Sequence, residues 1–394
     1  MAITVDELLS YIPNSLLDKF SEDTNVDYQV KHMKWNIMFK LILTTLLNTN
    51  SASLRKMEEI YNSKKYENML KKWKHKTRHS TIADRLKTIN YIYFKEIFEY
   101  LSWEFKNYIE KGSFKIKKFI LKKFDSTLVG LSDKLLAFGI KAGSPNERHI
   151  KFTTWMEWIL PNEVDIYTEQ TASSEEIALW ETVVNSQYSK NSICLFDRWI
   201  QKRWTYNKLI DQWKKFISRL KKNAKYKFVK KNKEIKWRKS WELTLIKDSI
   251  IKLYLGQKEM NKELRLIKAV NKDTDKEYLF ITNIMEELNA SDITKTYKKR
   301  WDIEVFFRHI KQEFWFSHFV SRSMNWIMVM LYMTLITALL ILIYDLKNKI
   351  WSFKMAKLRF TMELDVLLAK DIGKWLNWNT SALLKLDTSL KNWP

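Results

Sequence analysis

The sequence predicts an α/β protein: a mixed-sheet core carrying a mainly β insertion, with helical regions before and after it. Three observations carry this reading. Apolar residues recur at helical spacing up to about residue 117, β-rich runs with turn signals take over from residue 118, and an uncharged helical run follows the last of them. With 394 residues and 46% apolar side chains, the chain is long enough for two or three domains with a sizeable core.

The helical start is read from VDELLSYIPNSLLDKF and WNIMFKLILTTLLNT, which keep one apolar stripe. SASLRKMEEIY opens on a serine cap, and so does STIADRLKTINYIYFKEIFEYL, which follows the basic run KKWKHKTRH. A helix, turn and capped helix beside basic residues make 1–117 a candidate DNA-binding region; a helical bundle with a wet face is the other reading. FILKKFDSTLVGLS, RHIKFTTWMEW and EVDIYTEQT then read as strands, SSEEIALWETVVN as a helix, and NSICLFDRWI as a short apolar strand stopping at Asp197. Strand, strand, strand, helix, strand is the order of a mixed sheet.

The insertion is assigned to 205–284 and the core to 118–204 with 285–345, leaving 346–394 as a helical end region. Within the insertion, KELRLIKAV and EYLFITNIM around NKDTDK form a hairpin. Between Lys214 and Lys239 there are 13 basic residues and one acid, interleaved with Phe216, Tyr226, Phe228 and Trp237. That pattern suits a nucleic-acid groove; a lysine-blunted edge strand has the same composition. TYKKRWDIEVFFRHIK, from Thr296 to Lys311, reads as one helix burying Ile303, Phe306, Phe307 and Ile310. At about 100° per residue its other side lines up Tyr297, Arg300, Glu304 and Lys311, with Arg308 beside them. Ion pairs Arg300–Glu304 and Glu304–Arg308 are the simplest use of that face. Ile327–Tyr344 is 18 residues without a charge, read as a buried core helix, with a membrane span as the alternative.

Charge narrows the partners. Lys and Arg number 69 against 45 Asp and Glu, a net charge of +24, which favours a polyanion, with membrane surfaces and acidic proteins as the competing partners. Cys194 is the only cysteine, so an intramolecular disulfide and a cysteine-rich zinc site are both excluded. MAITVDELLSYIP has acids where a signal peptide needs bases, so a cytoplasmic protein is expected.

Glycine is scarce and tryptophan abundant, 6 against 18. Several tryptophans stand where a turn wants a residue tolerant of positive φ. Some bacteria read UGA as glycine and others as tryptophan, so Trp199, Trp204, Trp213, Trp315 and Trp326 are candidate glycines of the natural protein. An aromatic-rich protein that stacks on bases is the alternative, and UGG codons at these positions would establish it.

Phosphodiester chemistry with hard cations needs about three carboxylates drawn from separate elements. Asp125 in KKFDST and Asp197 in CLFDR both end apolar strands, and Glu304 lies on the basic helix. Tyr297, Arg300, Glu304 and Lys311 satisfy Y-x2-R-x3-E-x6-K. This resembles the signature of bacterial insertion-sequence transposases with an Asp-Asp-Glu active site. FDST and LFDR resemble the segments holding that family's two aspartates, and EFWFSHFVSRSMNWIMVMLYMTLITALL its segment after the helix.

The resemblance implies a ribonuclease H-like core, interrupted by a β insertion within the 106 residues between Asp197 and Glu304. It implies that Asp125, Asp197 and Glu304 bind two Mg2+ ions, with Mn2+ as an accepted substitute. Tyr297, Arg300, Arg308 and Lys311 would hold DNA phosphates. Terminal inverted repeats and target DNA are the implied partners, with a homodimer on paired ends and no membrane. An inactive relic serving as a DNA-binding repressor, and a nuclease without strand transfer, are the competing outcomes.

Overall fold

A computed structural model describes residues 2–49, 52–63, 66, 76–108, 118–131, 139–141, 148–173, 182–183, 191–200, 202–233, 239–240, 242–314, 318–319 and 323–375. The chain divides into two compact units, Met1–Ile109 with Arg308–Pro394, and Glu110–Phe307.

The first unit is helical. α1 (Val5–Ser10), α2 (Asn14–Thr24), α3 (Trp35–Asn48), α4 (Leu54–Asn62), α5 (His79–Thr88) and α6 (Tyr91–Tyr108) follow in order. Thr4 and Glu7 close a reciprocal capping box on α1. The expected serine cap of α4 is present: the Lys56 N–H donates to Ser53 Oγ at 3.3 Å. The serine cap expected at STIADRL is not formed. α5 begins at His79, whose N–H donates to Glu58 Oε2 at 2.9 Å, so a carboxylate from α4 satisfies that helix start. Arg85 is buried and donates to the carbonyls of Met33 and Val26 and to Asp27 Oδ1, pinning the link between α2 and α3.

The second unit is built on a large mixed sheet. Its strands are β1 (Ile120–Leu131), β2 (Ile140–Lys141), β3 (Arg148–Glu157), β4 (Leu160–Tyr167), β5 (Ser192–Phe196), β6 (Lys215–Leu220), β7 (Tyr226–Lys233), β8 (Lys239–Ser240), β9 (Leu243–Leu255), β10 (Lys258–Glu259), β11 (Leu264–Asn271) and β12 (Lys276–Thr282). The sheet order is β10-β9-β11-β12-β6-β5-β1-β3-β2, with β4 on β3 and β7 and β8 on β9. β1, β3 and β4 pair antiparallel, whereas β5 runs parallel to β1 and β6 parallel to β5. The uninterrupted apolar run SICLF is buried at every position, as a central parallel strand requires. The hairpin of β11 and β12 is the one read from the sequence. The helix expected at SSEEIALWETVVN falls outside the described residues except Thr182 and Val183. β7 is an edge strand exposed along nearly its whole length, so the lysine run both blunts an edge and presents a basic surface.

α7 (Arg203–Asp211) links β5 to β6. After β12 the segment expected to be one helix forms two, α8 (Ala290–Lys298) and α9 (Trp301–Glu313). Short-range bonds at the junction, Arg300 N–H to the Tyr297 carbonyl at 2.9 Å and Ile303 N–H to the Arg300 carbonyl at 3.3 Å, replace the regular helical ladder. The count of 100° per residue therefore does not carry across Lys299 and Arg300. Ile303, Phe306, Phe307 and Ile310 are buried as expected.

Beyond α9 the chain returns to the first unit with α10 (Met324–Asn348) and α11 (Phe353–Trp375). α10 has the length and composition to cross a membrane, yet 89% of its apolar window is buried within the fold. This is the core-helix reading of Ile327–Tyr344. The Tyr344 hydroxyl donates to Glu363 Oε1 at 2.6 Å, tying α10 to α11.

Backbone conformation sorts the tryptophans. Trp213 adopts φ 59°, as a glycine site would. Trp199, Trp204 and Trp326 have no positive φ, and the latter two lie on α7 and α10, so no turn there demands glycine. Trp315 lies outside the described residues. Trp158 and Trp351, which the sequence did not single out, share φ 59°.

Candidate active site

The register of β1 and β5 brings the two aspartates together. Lys123 pairs with Leu195 across the parallel strands. Asp125 and Asp197 each lie two residues beyond that last pair, and both carboxylates act on the Arg300 guanidinium. The Asp125 carboxylate accepts from the Ser126 N–H at 2.9 Å. Asp197 follows the last residue of β5, and its carboxylate accepts from the buried Tyr297 hydroxyl at 3.4 Å.

Glu304, on the first turn of α9, completes the set through Arg300. The Arg300 guanidinium donates from Nη2 to Glu304 Oε1, and its Nη1 lies 3.6 Å from Asp125 Oδ2. The expected i,i+4 pair is thus formed, and the same cation also faces the aspartates. Burial alone would push the guanidinium down, but Tyr297, Asp125, Asp197 and Glu304 outweigh it and hold Arg300 above its ordinary value. Burial likewise raises the Tyr297 hydroxyl, keeping it a neutral donor to Asp197. Arg300 is 7% exposed, and its Nε and Nη1 have no hydrogen-bond partner among the described residues.

A cavity of about 510 Å³ opens beside this cluster, lined among others by Arg219, Tyr278, Tyr297, Lys298, Arg300 and Trp301. The Arg219 guanidinium stacks 4.7 Å over the Tyr278 ring, and its buried Nε has no hydrogen-bond partner among the described residues. Two arginines with unused donors beside aromatic faces can accept an anionic, flat-faced ligand such as a nucleotide unit.

The structure therefore joins Asp125, Asp197, Tyr297, Arg300 and Glu304. Arg308 and Lys311 lie four and seven residues beyond Glu304, on the same face of α9, in the part of the chain that clusters with the other compact unit. Sequence reasoning missed Lys123. It is 3% exposed, donates to the Trp158 carbonyl at 2.5 Å and meets Asp302 Oδ2 at 2.6 Å. Asp302 is the second residue of α9, so this pair fixes the start of the helix that carries Glu304 to the strand that carries Asp125. Burial lowers the Lys123 ammonium, with Asp302 opposing that shift. The available signal was the pair of lysines inside the apolar strand FILKKF. Lys122 is buried too, with its ammonium 4.1 Å over the Trp155 ring.

Residues 160–340 match the transposase DDE domain family. The matched span contains Asp197, Tyr297, Arg300 and Glu304 and begins after Asp125. No curated protein matches the chain by sequence. Among solved structures, the chain is similar to piggyBac transposase, determined by cryo-electron microscopy as a synaptic complex with hairpin DNA. The similarity covers 98% of this chain and 84% of that one, with a TM-score of 0.52 and 14% identity, and so concerns the fold. The domain match and the shared fold together support a DNA transposase.

Proposed function

We propose that the chain is a DNA transposase of the insertion-sequence type, with Asp125, Asp197 and Glu304 as its reacting carboxylates. The observation that carries this is their convergence around Arg300, from two adjacent parallel strands inside the sheet and one helix. The order β4-β3-β1-β5-β6, antiparallel then parallel, supports a ribonuclease H-like core extended by the strands of the insertion. Such a protein would work in the cytoplasm on the DNA there, as a homodimer on paired ends.

The roles follow from charge and position. Arg300 and Arg219 offer unused donors to phosphate oxygens, and the exposed lysines of β7 add a basic surface for the duplex. Arg308 and Lys311 would extend the phosphate contacts along α9. Tyr297 orients Asp197 by donating its hydroxyl hydrogen. In the first step water attacks the phosphorus at the element's end and the 3′-oxygen leaves as a hydroxyl. In the second that hydroxyl attacks a target phosphodiester, forming one bond as another breaks.

The Mg2+ ions implied by the family resemblance meet a donor set of the right chemistry, hard carboxylate oxygens. The arrangement does not fit them as it stands. The carboxylates surround a guanidinium, and among the described residues no group of three acidic, histidine or cysteine side chains is placed to hold a metal ion. The occupation of the cluster by Arg300 is also the one observation favouring the second reading, a DNA-binding relic without catalysis.

The test is to incubate the protein and Mg2+ with a duplex bearing the sequences that flank its gene. Cuts at the element boundary with joined products are expected. Cutting without joining indicates a nuclease, and binding without cutting indicates the relic.

A further inference from the structure

We infer that Trp158, Trp213 and Trp351 are glycines in the polypeptide made by the cells that carry this gene, each encoded by UGA. The three share φ 59°, in the left-handed region that a bulky side chain rarely adopts. Among the described residues, eight that are not glycine have positive φ, and three of them are tryptophan, although tryptophan fills 18 of the 394 positions. The excess falls on the one residue type that reading UGA as tryptophan would supply.

Each position sits in a turn that asks for glycine on its own account. Trp213 follows the cap of α7: its N–H donates to the Ile210 carbonyl at 2.9 Å, and the Lys214 N–H to the Leu209 carbonyl at 2.8 Å. Those two bonds define the Schellman motif, whose left-handed residue is usually glycine. Trp158 is the first residue of the two-residue loop between the paired Glu157 and Leu160, and Ile159 has no positive φ. That is the pattern of a type II′ hairpin, with glycine at the first loop position. The chain itself follows the rule between β9 and β10. There the paired Leu255 and Lys258 enclose another two-residue loop, and its first residue is Gly256 with φ 61°. The Trp158 ring is buried, so at this position the turn and its sister hairpin carry the inference.

Trp351 lies between α10 and α11, one residue before Ser352. Its N–H and that of Ser352, the latter at 3.2 Å, both donate to the Asp345 carboxylate. Backbone donors therefore fix this turn, and the ring outside it contributes nothing to them. Trp213 and Trp351 are 86% and 76% exposed, so packing gives no reason for a large side chain at either.

Trp155 shows the opposite case, an indole the fold uses. It lies inside β3 and is 5% exposed, with the Lys122 ammonium 4.1 Å over its ring and Phe124 6.4 Å away. Its Nε1 donates to Glu163 Oε2 at 3.3 Å. A glycine could replace none of these contacts, and UGG is the codon expected there.

Reading the four codons, and the masses of the matching peptides from those cells, tests the inference. UGA at Trp158, Trp213 and Trp351 with glycine in the peptides, and UGG at Trp155, is expected. UGG, or tryptophan in the peptides, at any of the first three overturns it. UGA at Trp155 with tryptophan in its peptide overturns it too, since the same cells would then read UGA as tryptophan.

Discussion

Trp213 shows the conflict between side chain and backbone most directly. A non-glycine residue in the left-handed region is destabilised by about 1–2 kcal/mol, and an exposed ring returns little of that. Trp213→Gly is therefore expected to raise the thermal midpoint by a few degrees, whereas Trp213→Ala, which keeps a Cβ, gains much less. Differential scanning fluorimetry of the two variants checks this. Trp158→Gly is a different case, because its ring is buried and its removal opens a cavity. Cys194 supplies another residue-scale expectation. Burial pushes its thiol up to about 11, and it is wholly inaccessible, so at neutral pH it stays protonated. Iodoacetamide should leave the folded protein unmodified and alkylate it fully in urea.

At the scale of elements, two ion pairs decide how the helix and the insertion are held. Lys123–Asp302 joins β1 to the first turn of α9. Asp302→Asn leaves the buried ammonium without its countercharge and is expected to cost about 1–3 kcal/mol, measured by urea unfolding. Arg265–Asp248 is fully buried between β11 and β9, with Arg265 also donating to the carbonyls of Ile284, Met285 and Leu288. Arg265→Met strands the Asp248 carboxylate and should cost about 3–5 kcal/mol. The sequence announced β1, β5 and the β11–β12 hairpin clearly, because apolar runs and turn residues are local signals. Asp197 was legible because it closes an apolar strand, whereas Asp125, expected to end one, lies in the middle of β1, which runs on to Leu131 paired with β3. The break at Lys299 and Arg300 was not legible, since neither glycine nor proline marks it and the tertiary contacts of Arg300 accompany it. Arg300 itself was read as a phosphate ligand, but its place among three carboxylates depends on β1 and β5 lying side by side. Periodicity along one helix carries no information about that.

For the whole molecule, a net charge of +24 predicts DNA binding that weakens steeply with salt. Reversing Lys230 and Lys231 on the exposed edge strand should lower the slope of log affinity against log salt by about 2 if both meet phosphates, with little change in stability. Filter binding across a salt series reads that slope. The proposed transposition chemistry assigns the reaction to Asp125, Asp197 and Glu304. The most direct measurement compares cleavage of a terminal duplex by the unaltered protein with cleavage by Asp125→Asn, Asp197→Asn and Glu304→Gln, each checked for DNA binding. The account predicts that all three variants bind the duplex and none cuts it. Cutting at an undiminished rate by any one of them would contradict the assignment of the active site.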